Sequence, residues 1–267
     1  MRRPRTNTKA KKMTSPDILS KAPPPSDTRL HYGTESNQFG DVRLPSGKGA
    51  HPVLTFIHGG FWRAKYDLLH AGHLCAALAK AGIATWNLEY RRVGNPGGGW
   101  PGTFADVLSG YRYLTELAAK YKLDLARSVV MGHSAGGHLA LCLAAHQRPS
   151  RGVVSLAGVV DLQRAWELHL SHDAVVDFLG GTPRDVPQRY RDASPAEIAV
   201  AGAQRLVHGT LDDTVPVEMS REYSKKKQAR REDVHLLELP TSSHLDLIDP
   251  ATPSWSCVEQ TVTSLIG

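Results

Sequence analysis

The residues Gly132-His133-Ser134-Ala135-Gly136 place a serine in a G-x-S-x-G pattern. An apolar run, Ser128–Gly132, leads into it, and the helical pattern AGGHLALCLAA leaves it. A strand, a sharp turn and a helix with serine at the apex lift Oγ above a sheet as a nucleophile. Glycines there permit a strained backbone and close approach of neighbouring strands. Taken alone, the pattern reads equally well as a small-residue turn with Ser134 capping the helix. A serine hydroxyl is a weak nucleophile until a base takes its proton and an acid holds that base. Both follow in chain order. After the strand pattern RLVHG comes Thr210-Leu211-Asp212-Asp213-Thr214-Val215-Pro216, and after VHLLELP comes Thr241-Ser242-Ser243-His244. In such loops the acid stands four residues after the His, which selects Asp212 and leaves Asp213 as a solvated turn residue. His235 lies inside a strand pattern and is assigned a structural role. The expected chemistry is acyl transfer by a Ser134, Asp212 and His244 triad through a covalent serine intermediate.

Acyl transfer also needs donors for a developing oxyanion. His58-Gly59-Gly60-Phe61-Trp62 directly follows the apolar run VLTFI. The amides of Gly60 and Phe61, with that of Ala135, are the expected donors; His58 and His133 are expected to brace these loops. Trp62, Trp100 and Trp166 are expected as substrate-binding aromatic walls, with ordinary packing under loops as the competing reading.

These side chains need a frame. Strand patterns are Arg29–Tyr32, Asp41–Leu44, Val53–Ile57, Ile83–Leu88, Ser128–Gly132, Gly152–Leu156, Arg205–His208 and Val234–Leu239. The central ones are continuously apolar, as in parallel strands covered on both faces. Helical patterns lie at Asp67–Ala81, Thr103–Tyr121, Ala135–Gln147, Pro216–Ala229 and Ser254–Leu265. The alternation implies an α/β class chain with a mostly parallel, eight-stranded, doubly wound sheet. Residues 159–200, with a helical stretch around Leu162–Leu170, read as a small lid insertion.

The combination HGGFW, GHSAGG, HGTLDDTVP and SSHLDLIDP resembles the α/β-hydrolase superfamily. Within it, HGGFW and Glu89-Tyr90-Arg91-Arg92 resemble the H-G-G-x-W esterase and lipase-like group, which includes kynurenine formamidases and feruloyl-esterase-like carboxylesterases. The resemblance runs from about Tyr32 to the C-terminus. It implies hydrolysis of an ester or amide without a cofactor. Three readings stand: a carboxylesterase for short-chain or aryl acyl groups, an arylformamidase acting on N-formylkynurenine, and a non-enzymatic binding protein on the same fold.

Charge and composition narrow the partners. The 267 residues carry a formal charge of +6. Arg2, Arg3, Arg5, Lys9, Lys11 and Lys12 supply that excess, since the remaining basic residues equal the 26 acidic ones. Residues 1–27 therefore read as a basic, proline-containing disordered tail ahead of a neutral 28–267 domain. A small-molecule partner is expected rather than nucleic acid, with Arg91 and Arg92 as a possible local carboxylate clamp. No apolar run is long enough for a membrane span, and three scattered cysteines suit a reducing, cytoplasmic setting. Gly97–Gly102 matches G-x-G-x-x-G but lies well past its strand, so a flexible loop is expected. The pairs His70/His73 and His169/His172 lack further ligands, and no metal is expected. Asp161 is an alternative acid, read instead as a helix cap.

Overall fold

The computed structural model describes residues 18–267. All eight strands form: β1 (Thr28–His31), β2 (Phe39–Arg43), β3 (His51–Ile57), β4 (Ala84–Leu88), β5 (Leu123–His133), β6 (Val153–Leu156), β7 (Gln204–Gly209) and β8 (Val234–Leu239). They make one sheet in the order β1-β2-β4-β3-β5-β6-β7-β8. Strands β3 to β8 pair in parallel, and β2 is antiparallel to both its neighbours.

The apolar runs are explained by burial on both faces. Along β3, Val53 and Ile57 enter one core while Leu54 and Phe56 enter the other. Helices α1 (Gly72–Lys80) and α9 (Trp255–Ile266) cover the second face through Leu74, Leu78, Val258 and Val262. Helices α2 (Gly102–Arg112), α3 (Leu114–Tyr121), α4 (Ala135–Gln147) and α8 (Val217–Ala229) belong to the first face, with Val107, Leu117, Leu139 and Met219 buried there. The single helix expected over Thr103–Tyr121 is divided at Tyr113, whose ring tilts against Trp86.

The insertion holds α5 (Leu162–Glu167), α6 (Ala174–Leu179) and α7 (Pro187–Ala193). Leu162, Phe178 and Tyr190 carry it into the first core. The reading of residues 1–27 as one disordered tail needs correction. Its part over 1–17 lies outside the described residues, but 18–27 lie against the domain as a strap. Ile18 is buried in the second core. Arg43 donates to Pro24 O, and the Asp27 carboxylate accepts from Leu44 N. A proline-containing segment needs no internal hydrogen bonds, so it docks through its side chains and carbonyls.

Candidate active site

Every candidate chemical group sits at the C-terminal end of a parallel strand, where open α/β sheets place their sites. Ser134 occupies the turn from β5 to α4 at φ 57° and ψ −121°. That conformation is unfavourable for a residue with a Cβ, by about 1–3 kcal/mol. The turn is held from both sides: Ser134 N donates to Leu156 O at 2.8 Å, and its carbonyl accepts from His138 N and Val159 N. At Gly59 an added Cβ would stand 2.9 Å from His133 O and 3.0 Å from Ser134 Cβ, so only glycine lets the β3 loop lie against the serine turn. The next three residues, Gly60, Phe61 and Trp62, all have positive φ. Ala135 opens α4, so its N–H has no intrahelical acceptor and marks the positive end of the helix dipole.

The Asp212 side chain is wholly buried and fully engaged. Its Oδ1 accepts from Thr214 N at 2.9 Å and Val215 N at 2.8 Å. Its Oδ2 lies 2.7 Å from His244 Nδ1 and 3.2 Å from His208 Nε2. Burial alone would raise its pKa; hydrogen bonds from His208 and His244 overrule that and hold the carboxyl far below the ordinary range. Asp213 is exposed. Because His244 Nδ1–H donates to the carboxylate, its Nε2 keeps a lone pair for a proton. His133 donates from Nε2 to His244 O at 3.0 Å, pinning the backbone of that loop. Burial, reinforced by the neighbouring His244, pushes the His133 pKa well down and keeps its ring neutral.

Ser134, His244, Gly60 and Phe61 line one cavity of about 170 Å³. Leu19, Tyr66, His70, His133, Thr214 and Leu245 complete it. The tryptophan expectations are corrected here. Trp62 is 1% exposed, stacks on Phe178 and donates its indole N–H to His138 Nδ1 at 3.2 Å. Trp100 stacks on Phe104, and Trp166 packs against the first core. All three lie outside the cavity lining. The insertion 159–200 contributes nothing to that lining either; the strap does, through Leu19. No local pattern marked Leu19, Tyr66 or His70, which reach the site only through the fold.

Other expectations resolve simply. His58 and Glu89 form a buried pair at 3.0 Å, and Glu89 also accepts from Leu68 N and Tyr90 N. The Arg91 and Arg92 clamp is not available: Arg91 is spent on Asp106, and Arg92 on Glu89 and Tyr66 O. Asp161 caps α5 by accepting from Arg164 N. His73 bonds Lys21 O, His169 bonds Asp173, and His235 is exposed. The Gly97–Gly102 loop is tied to the insertion by Trp100 N donating to Phe178 O at 2.7 Å. No helix among the described residues is long and apolar enough to cross a membrane.

The BD-FAE family model matches residues 41–227. Esterase LipC of Mycobacterium tuberculosis is 30% identical over 84% of this chain and 60% of its own length. The chain thus spans about three-fifths of that relative. A kynurenine formamidase of Meyerozyma guilliermondii is 25% identical over 82% of this chain and 85% of its own. Among solved structures, a truncated carbohydrate esterase from gut microbiota superposes with a TM-score of 0.78 at 22% identity, covering 92% of this chain and 99% of that one. With its parallel sheet, serine turn and matched family region, the chain has the α/β-hydrolase fold and belongs to the BD-FAE family.

Proposed function

We propose that this protein is a serine hydrolase of carboxylic esters with short-chain or aryl acyl groups. The observation that carries the reading is the 2.7 Å Asp212–His244 pair opening onto the same small cavity as Ser134. His244 Nε2 takes the Ser134 proton while Oγ attacks the carbonyl carbon. The amides of Gly60, Phe61 and Ala135 receive the oxyanion. His244 then protonates the departing alcohol, and a water deprotonated by the same ring releases the acid from Ser134. Asp212 fixes the His244 tautomer and stabilises its transient charge. A volume of about 170 Å³ equals the liquid share of about five or six waters, room for a short acyl chain or a single ring.

Esterase relatives support ester hydrolysis. The formamidase relative, matched along most of its length, supports a second reading as an arylformamidase. The test is p-nitrophenyl acetate turnover with wild type and Ser134→Ala, beside kcat/KM on N-formylkynurenine. Turnover lost in the variant, with esters preferred over the formamide, is the expected result. Equal rates for wild type and variant would refute the serine mechanism, and a large formamide preference would select the second reading.

A further inference from the structure

Next to the catalytic cavity lies a larger depression of about 730 Å³, walled by the strap, β1, β2 and the loop from Lys65 to His70. The two spaces share Leu19, Tyr66 and His70 as lining, so they adjoin at that point. The strap side is Pro23-Pro24-Pro25, a stiff wall that loses little freedom when a ligand binds.

Its charge is lopsided. Lys21, Arg29, Arg43 and Lys65 face Asp41 and Asp67. Arg29 is consumed by a two-pronged pair with Asp41, and Lys21 lies 3.7 Å from Asp249. The Asp67 carboxylate caps the turn at Leu69 N. Arg43 is different. It is 5% exposed, one nitrogen donates to Pro24 O, and Nε and Nη1 meet no acceptor among the described residues. Lys65 makes no ion pair among them either; its ammonium lies 5.4 Å from the Tyr66 ring centre. Those two Arg43 nitrogens are themselves buried, so Arg43 adds its positive field to the depression rather than an open donor. Burial lowers the His70 pKa to about 3, so this ring at the junction adds no charge.

We infer that this depression is a subsite for the larger, anionic half of an ester. A short acyl group occupies the cavity at Ser134, and an alcohol or phenol bearing an anionic group lies along the strap towards Lys65 and Arg43. The inference rests on the hydrolase reading above and adds the class of leaving group.

The test compares 4-acetoxybenzoate with 4-acetoxybenzamide, each rate corrected for its hydrolysis in hydroxide. Both present the same acetyl group, and only the first carries charge. Wild type should favour the benzoate about fivefold at low salt, the size expected for one partly exposed ion pair, and less as salt rises. Lys65→Arg should keep the preference and Lys65→Glu should reverse it. A ratio near one that Lys65→Glu leaves unchanged would overturn the subsite. Ligand-observed NMR of the product pair, 4-hydroxybenzoate and 4-hydroxybenzamide, reads the same preference without turnover. Loss of turnover and of fluorophosphonate labelling at Ser134 would therefore defeat the hydrolase reading, while equal binding of the two phenols would defeat the subsite alone.

Discussion

Among the described residues, two buried histidine–carboxylate pairs bridge the ends of neighbouring strands, and we assign chemistry to only one. His244 and Asp212 lie 2.7 Å apart; His58 and Glu89 lie 3.0 Å apart. At His58 both ring nitrogens are engaged, by Gly59 O and Glu89, and Tyr90 stacks over the ring at 4.4 Å. At His244 only Nδ1 is engaged by the carboxylate, and the ring borders a cavity beside a serine. The partners of the two carboxylates differ in the same sense. Glu89 ties three chain segments together, through His58, Leu68 N and Arg92, whereas Asp212 is locked by its own loop and aims one oxygen at the base. A pair of this kind becomes catalytic by what its second imidazole nitrogen faces, and otherwise it is a brace.

The largest expected effect separates the two. Asp212→Asn should keep the fold and lower kcat by roughly 10⁴-fold, because the amide holds the wrong His244 tautomer. Steady-state kinetics on p-nitrophenyl acetate with a circular-dichroism control measures this. Retention of most activity would erase the distinction drawn above.

The mirror experiment is Glu89→Gln. It leaves the buried Arg92 guanidinium without its carboxylate, so it should cost about 3 kcal/mol of unfolding free energy. Because Glu89 touches no reacting atom, kcat should fall less than tenfold, that is by less than about 1.4 kcal/mol of barrier. Urea denaturation and kinetics on one preparation decide it. A collapse of kcat with unchanged stability would move Glu89 into the chemistry.

The contrast also shows which parts were legible from residue order. Ser134, Asp212 and His244 each follow an apolar strand and sit among turn residues, so strand ends and chain order located them. The central strands were legible because burial on both faces imposes unbroken apolar runs. Tyr66, His70 and Leu19 were not, since each reaches its place through long-range packing that leaves no local pattern. The tryptophans misled for a physical reason: an aromatic on a loop near a site reads the same whether its ring faces the cavity or the core. The strap misled because a proline-rich, basic composition describes the lack of its own core and is silent about a neighbour's.

A third outcome concerns the neutral histidines around the site. Burial lowers the pKa of His138 to about 4 and of His70 to about 3, and pushes His133 down as well. The unfolded chain takes up these protons near the ordinary value of about 6.5, whereas the folded one resists. Their contribution is thus complete above about pH 6.5 and is lost as pH falls towards the folded values. Each removes up to about 1.4 kcal/mol per pH unit within that window. Urea midpoints at pH 7, 6 and 5 should fall progressively. The Asp212 contribution, from a depressed carboxyl pKa, persists through this range and is lost only in more acid solution. Stability that stays flat from pH 7 to 5 would show that these rings are not held neutral.

The smallest effect tests a third carboxylate. Asp161→Ala removes the cap on α5 and should cost about 1 kcal/mol with kcat unchanged. A large loss of kcat would give the competing acid a place in the chemistry.

The most direct measurement traps the intermediate. Protein quenched during p-nitrophenyl acetate turnover, digested and mapped by mass spectrometry, should carry an acetyl group on Ser134, absent in Ser134→Ala. Turnover with no such adduct, or with the acetyl group on another residue, would contradict the account.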